Sequence, residues 1–336
     1  MRRRPSFRLS KLALGTLLCG ALARAPAVAS TPAAPMLVGE TCSVAGLLEK
    51  LRHGLDSPSA AYRRYLRNLL REAAVTLPAV ELRAAFARET HPVLVEQLAA
   101  ALVARTERGA DPSGMQTVTE RALREPDPTL RAAVVRALRR TSALENSGDL
   151  YERLVRDPAP AVRLEAAQNL VEDNQFVYSG HHGPAADAAV AAAAAATDPQ
   201  VTAKILGSLS TEAVSSSAAG TLRGLLRSPD TAVREAVATA LGGVPAAEAT
   251  AAREALLTLY RSERDRGVRR AILGAIAQLG FARAIPELRQ LREVDPGLTT
   301  EVDLWIQTLS LGLPEWSLIL REKQRLEQQA AKHGVR

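Results

Sequence analysis

The side chains with the most chemical capacity gather in one run, Asp173-Asn174-Gln175-Phe176-Val177-Tyr178-Ser179-Gly180-His181-His182-Gly183-Pro184. A carboxylate, a phenol and two imidazoles so close together could hold a metal ion, move a proton or grip a peptide. Adjacent histidines tend to point apart, and His53, His91 and His333 lie far away in the chain, so a metal would lack further ligands. The run reads as a surface loop, with peptide binding as its functional use. Elsewhere there is no Gly-x-Ser-x-Gly, phosphate loop, Cys-x-x-Cys or His-Glu-x-x-His. No catalytic residue, metal ligand or cofactor is therefore expected. Cys42, beside Thr41 at the start of the first helix, has no histidine near it in sequence to activate a thiolate and reads as a small, partly buried residue.

The elements that would position these groups recur along the chain. An apolar residue follows each Pro- or Asp-marked turn: Tyr62, Leu94, Leu130, Val162, Val201, Val233, Val268 and Leu298. These anchors lie 30–39 residues apart, and most have further apolar residues at +4 and +8, such as Val134 and Leu138 after Leu130. That spacing lines one face of a helix. A second apolar helix precedes each anchor, as at Leu150…Leu154-Val155. Proline suits a first helical turn, and aspartate can cap it. Self-similarity at this period predicts an all-α fold, an α-solenoid of about eight stacked antiparallel helix pairs over residues 41–312. Residues 313–336, with Trp316, Ile319, Leu320 and Lys323, read as a C-terminal capping helix and tail. The position after the anchor is often arginine: Arg63, Arg131, Arg163, Arg234 and Arg269. Val95, Thr202 and Thr299 stand in its place in three copies.

The segments Asp127-Pro128-Thr129-Leu130-Arg131 and Asp157-Pro158-Ala159-Pro160-Ala161-Val162-Arg163 resemble the HEAT family, including its bacterial HEAT-like form. The resemblance extends over roughly residues 42–312. It implies that the arginines form a ladder with aspartates of adjacent turns, so that Asp157 with Arg163 and Asp127 with Arg131 belong to it, alongside Arg234 and Arg269. It also implies that the second helix of each pair lines a concave surface. Positions +2, +6 and +10 would face outward there. They are Arg136, Arg140, Leu164, Gln168 and Glu172 centrally, and the smaller Ala203, Gly207, Thr239 and Gly274 later. Arg136, Arg140, Gln168 and Glu172, with Tyr178, His181 and His182, are therefore the candidate partner-contacting residues. Asn169 replaces a small residue at +7 and should hydrogen-bond between helices. Some HEAT-like proteins are iron hydroxylases built on His-Glu dipeptides, and this chain has none. Others are chromophore lyases, whose specific residues are not found, or DNA glycosylases, against which the near-neutral charge after export argues.

Residues 1–29 read as a secretory signal. Arg2, Arg3, Arg4, Arg8 and Lys11 precede the apolar run Leu12–Ala23, and Ala27-Val28-Ala29 offers a cleavage site. The apolar run is too short for a stable span. Lipid anchoring at Cys19 is disfavoured by Leu18 before it. Residues 30–40 read as a linker. The whole chain carries +7, but residues 1–29 hold six basic residues and no acids. After cleavage 37 basic face 36 acidic residues, which gives no global pull on nucleic acid. With Cys19 removed, Cys42 has no intramolecular partner. The sequence thus predicts an exported, periplasmic or extracellular, non-catalytic scaffold for a protein or peptide. An enzyme or cofactor lyase using the 173–184 loop, and a structural subunit of an envelope assembly, are the alternatives. The helix from Ala185 to Thr197 is nearly all alanine, with little apolar bulk to pack. Amide exchange should therefore be fastest across 173–197; protection there equal to that of 128–141 would contradict this.

Overall fold

The computed structural model describes residues 43–55, 57–143, 149–173, 175, 184–209 and 214–332. The expected signal, linker, Cys19, Cys42, Tyr178, His181 and His182 lie outside these residues. The described chain belongs to one compact unit, Val38–Arg336. No strand occurs among the described residues.

Eight helix pairs follow one another. They are α1 (Val44–Leu55) with α2 (Ala60–Ala73), α3 (Ala79–Arg88) with α4 (Pro92–Glu107), α5 (Gly114–Arg124) with α6 (Pro128–Ala137), and α7 (Leu150–Leu154) with α8 (Pro160–Glu172). The series continues with α9 (Pro184–Ala195) and α10 (Pro199–Leu206), α11 (Ser216–Leu225) and α12 (Thr231–Leu241), α13 (Ala249–Ser262) and α14 (Arg266–Gly280), and α15 (Ile285–Val294) and α16 (Thr299–Leu309). A last helix, α17 (Trp316–Lys332), packs on α16. The even-numbered helices stack on one another in order, and each packs on its own odd-numbered partner. The fold is an α-solenoid.

The turn chemistry explains the helix starts. Asp127, Asp198, Asp230 and Asp265 each accept a hydrogen bond from an N–H of the helix that follows. Proline occupies the first turn of α4, α6, α8 and α10, where no N–H is needed. The anchors are buried from Leu94 to Leu298. Tyr62 is the exception: it is 47% exposed, and Leu66 and Leu70 carry the packing of α2. Among the described residues no helix precedes this pair, and α2 packs chiefly on α1 and α4. Stacking brings even helices close. A Cβ on Gly242, just after α12, would lie 3.1 Å from the Cα of Ala275 in α14.

Arginine after the anchor ties each turn to the next. Arg131 donates to the carbonyls of Glu125 and Pro126 in its own turn (2.6 and 3.0 Å), and makes two 2.9 Å bonds to Asp157 of the following turn. Arg163 bonds the carbonyls of Asp157 and Pro158 and lies 3.6 Å from Asp198. Arg234 bonds the carbonyls of Ser228 and Pro229 and is bidentate to Glu263. Arg269 bonds the carbonyl of Glu263 and the carboxylate of Asp295. The ladder thus differs in register from the expectation. Arg131 pairs with Asp157, and Asp127 caps Thr129 at 2.7 Å. Asp157 offers Arg163 its carbonyl, because its carboxylate is taken by Arg131. A side chain leaving the first helical turn reaches back to its own turn's carbonyls and sideways to the next layer; the carboxylate before it already faces the layer behind.

Where arginine is absent, other groups serve. Val95 is buried, and Arg121 of α5 supplies the carbonyls of Phe86 and Glu89 instead. Thr202 gives its hydroxyl to the carbonyl of Ala193. Buried Arg105 binds the carbonyls of Ala74, Val75 and Leu77, closing the turn between α2 and α3.

At the C-terminal end Trp316 stacks on Trp305, with centroids 5.5 Å apart, and meets Phe281 edge-on. Lys323 lies over the Trp305 ring at 4.7 Å and bonds Glu301 at 2.8 Å. Trp316, Ile319, Lys323 and Leu326 form the buried side of α17, whereas Leu320 is exposed. The stretch Arg266–Val294 is long and apolar enough to cross a membrane by composition, but α14 buries Ile272, Leu273 and Ile276 in the stack.

Glu263 shows what the ladder contributes. The Arg234 hydrogen bonds, with those from the Arg264 and Asp265 N–H groups, outweigh burial and hold its carboxyl down at about 2. A lowered folded pKa stabilises above the ordinary glutamate range, and this contribution is lost as pH falls towards 2. Arg234→Ala leaves a buried carboxylate and two turn carbonyls without their donor, and should cost about 2–4 kcal/mol at neutral pH. The loss should shrink as the solution is acidified through pH 4 to 2. Urea unfolding of both proteins across that range measures it.

Candidate functional site

The even-numbered row presents its densest polar cluster where α4, α6 and α8 lie side by side. Arg136, Gln168 and Glu172 meet there, with Arg140 just past the end of α6. Arg136 reaches Glu165 at 2.5 and 3.0 Å and Glu96 of α4 at 3.3 Å. Arg139 bonds the other Glu165 oxygen at 2.7 Å and Asn169 at 3.2 Å, and lies 3.4 Å from Glu172. Arg140 bonds Glu172 at 2.8–2.9 Å, and Gln168 donates to Glu172 at 2.9 Å. The Gln168 bond comes first among the causes that, against burial, hold the Glu172 carboxyl below its ordinary range; Arg139 and Arg140 add to it. Three arginines therefore face three glutamates.

Sequence reasoning named four of these residues and missed Glu96, Arg139 and Glu165; Asp173 entered it only as the first residue of the 173–184 loop. Arg139 and Glu165 stand at +9 and +3, outside the +2, +6 and +10 positions expected to face outward. Arg140 was read as a helix-face residue. In fact α6 ends at Ala137, and Arg140 has φ 58°, a left-handed backbone. Its N–H donates to Asp173 Oδ1 at 2.7 Å. Asn169 is fully buried and donates to the Val135 carbonyl at 2.6 Å and to the Tyr151 hydroxyl at 3.3 Å, so it does bond between helices.

Asp173 is completely buried, and its second oxygen, Oδ2, has no hydrogen-bond partner among the described residues. Burial pushes its carboxyl up to about 7, against the opposing Arg140 N–H bond. The cluster can lock three layers and take up or release one proton. Among the described residues no group of three or more His, Cys, Asp or Glu could hold a metal ion.

Apart from α9, which packs on both α7 and α11, the odd-numbered helices touch one another less, and clefts open between them. One of about 750 Å³ lies between α5 and α7, lined by Met115, Gln116, Thr119, Leu123, Asp149 and Arg153 among others. Another of about 590 Å³ separates α11 from α13, between Arg223, Arg227, Ala251, Glu254, Thr258 and Leu259. A third of about 400 Å³ lies between α13 and α15, where Leu257, Leu291 and the exposed Val294 flank Arg261 and Glu287. There the Tyr260 hydroxyl bonds Asp295 at 2.9 Å, and burial first, then this bond, raises its pKa.

Stacked helix pairs tied by turn arginines define a helical-repeat protein. A family model described as HEAT repeats matches residues 226–301, from the end of α11 into α16. Among solved structures, the X-ray structure of YibA from E. coli is 14% identical, covering 77% of this chain and 92% of that one, at a TM-score of 0.43. The crystal structure of an engineered protein is 16% identical, covering 84% and 98%, at a TM-score of 0.28. No curated protein matches the chain.

Asp173 gives this site a pH signature. Its folded pKa lies above the ordinary carboxylate value of 3.8, so the folded state binds the extra proton between about pH 4 and 7. The stabilisation is complete below that window and is lost as pH rises through about 7. Its full size is on the order of 4 kcal/mol. Asp173→Asn stays neutral and keeps an acceptor for Arg140, so unfolding free energy should fall less between pH 5 and 8 than in the parent protein. Parallel denaturant titrations at the two pH values read the difference.

Proposed function

We propose that this chain is an exported, non-catalytic HEAT-repeat scaffold that binds a protein or peptide in the cell envelope. HEAT repeats commonly mediate protein–protein contact, and the observation that carries the reading is the division of the surface. The strongest charges of α4, α6 and α8 neutralise one another and hold the layers rigid. The odd-numbered row instead opens into clefts that mix aliphatic side chains with arginines, the surface a peptide or loop would enter. Export rests on the basic, then apolar, then small-residue pattern of residues 1–29. Arg136, Arg140, Gln168 and Glu172 contribute through the exposed atoms of their network. Tyr178, His181 and His182, which follow Asp173 closely in the chain, belong to the same proposed contact region.

Cross-linking the protein in its native compartment should recover one stoichiometric partner. Charge reversal at Arg227 and Arg261, one in each of two neighbouring clefts, should reduce that recovery about tenfold without changing thermal stability. Recovery only within a large assembly would point to a structural subunit. A chain found in the cytosol with residues 1–29 attached would overturn export. A measurable turnover lost on replacing His181 and His182 by alanine would overturn the non-catalytic reading.

A further inference from the structure

Ion pairs tie almost every layer of this array to the next. Arg52–Glu89 joins the first two pairs, Arg136–Glu96 the second and third, Arg131–Asp157 the third and fourth, and Arg163–Asp198 the fourth and fifth. Arg234–Glu263 joins the sixth and seventh, Arg269–Asp295 the seventh and eighth, and Lys323–Glu301 the eighth and α17. Between the fifth pair (α9, α10) and the sixth (α11, α12) no ion pair occurs among the described residues. Charges stand on both sides, Lys204 on α10, and Asp230 and Glu235 at α12, without pairing across the boundary. Thr202 takes the place of the ladder arginine, and its hydroxyl bonds the Ala193 and Asp198 carbonyls of its own layer. Among the described residues one hydrogen bond crosses here, from the Ser215 N–H to Asp187 Oδ1 at 3.3 Å. The two layers nevertheless lie close, α9 on α11 and α10 on α12. Of the buried side chains described on α9, Val190 alone is larger than alanine, and α11 meets this layer with Ala218, Ala219 and Leu222 as its buried residues.

We infer that this boundary is a shear plane, at which the array changes its curvature while the layers on either side move as rigid bodies. Apolar contact is non-directional, so it resists pulling two layers apart far more than sliding one over the other. An arginine fork, by contrast, fixes both distance and angle to its carboxylate. Small side chains make low ridges, which leave neighbouring helices little to catch on. Packed helices accommodate such a change by small sliding displacements. The plane divides the chain between its two groups of surface features. The charged cluster of α4, α6 and α8 lies on one side, and the clefts among α11, α13 and α15 lie on the other. A partner that touches both sides would set the curvature of the array, and one confined to a single side would leave it free. The inference goes beyond the scaffold reading and does not depend on it, because it follows from contacts within the chain.

Double electron–electron resonance on the nitroxide-labelled full chain, with Cys19 and Cys42 replaced by serine, tests it. One pair of labels, on cysteines placed at the exposed Leu164 and Thr258, spans the fourth to the seventh layer and crosses the plane. A second, at the exposed Thr239 and Gln324, spans the sixth layer to α17 and avoids it. The first distance distribution should be roughly twice as broad as the second. Thr202→Arg should reach the Ala196 and Thr197 carbonyls and the Asp230 carboxylate, as the ladder arginines do in their own layers. It should narrow the first distribution and leave the second unchanged. Adding Asp230→Asn, which keeps an acceptor for the helix cap and removes the charge, should restore the breadth. Equal breadth for the two label pairs in the chain with Thr202 intact would overturn the inference, whether or not the arginine variant folds. So would a folded T202R chain of undiminished breadth, or a narrowing that survives D230N.

Discussion

Everything in this array depends on one arrangement of a guanidinium. An arginine one residue past the anchor uses some of its N–H groups to satisfy the carbonyls of its own turn and others to grip a carboxylate in the next. The turn carbonyls have no helical donors, and leaving them half-buried without partners would be costly. The same side chain therefore finishes a turn and fastens a layer. Apolar stacking supplies most of the stability, since no single pair can bury its own faces. The arginine fixes the register in which that stacking occurs.

The central cluster on α4, α6 and α8 extends this logic to the exposed face. Its arginines and glutamates come from different layers, so each pair crosses a boundary between repeats. Desolvating such charges is tolerable because every one has a partner and most have two. Asp173 is the group that does not fit the scheme. It is buried, has one oxygen unbonded among the described residues, and burial raises its carboxyl well above the ordinary range.

The helix pairs were legible in the sequence because the anchors repeat and because proline and aspartate mark the turns. The ladder's members were legible too, but not its pairing. Two acidic positions occur in these turns: one three residues before the anchor, as Asp127, Asp230 and Asp265, and one five before it, as Asp157 and Glu263. The nearer one caps the helix. The farther one receives the arginine of the preceding layer. Only the nearer serves at Asp198, Asp230 and Asp295; Asp198 and Asp295 do both, while Asp230 only caps, Thr202 standing where the preceding layer would supply the arginine. That division depends on which layer each carboxylate faces, and no linear spacing shows it. Arg139, Glu165 and the tie of Asp173 to the Arg140 N–H escaped for a related reason. Their partners lie 26–33 residues away, and α6 stops short of the position that helical periodicity would assign to Arg140.

The ladder also has a direction. Arg131, Arg163, Arg234 and Arg269 each reach a carboxylate nearer the C-terminus. An array with that polarity has two unlike ends, and copies could in principle join tip to tail without limit, as any heterologous contact allows. In the final pair the arginine gives way to Thr299, whose hydroxyl turns back to the Pro296 carbonyl. The last layer thus receives a guanidinium and extends none. The Trp305–Trp316 stack then closes over it, so growth in that direction is denied both its ionic handle and its bare apolar face.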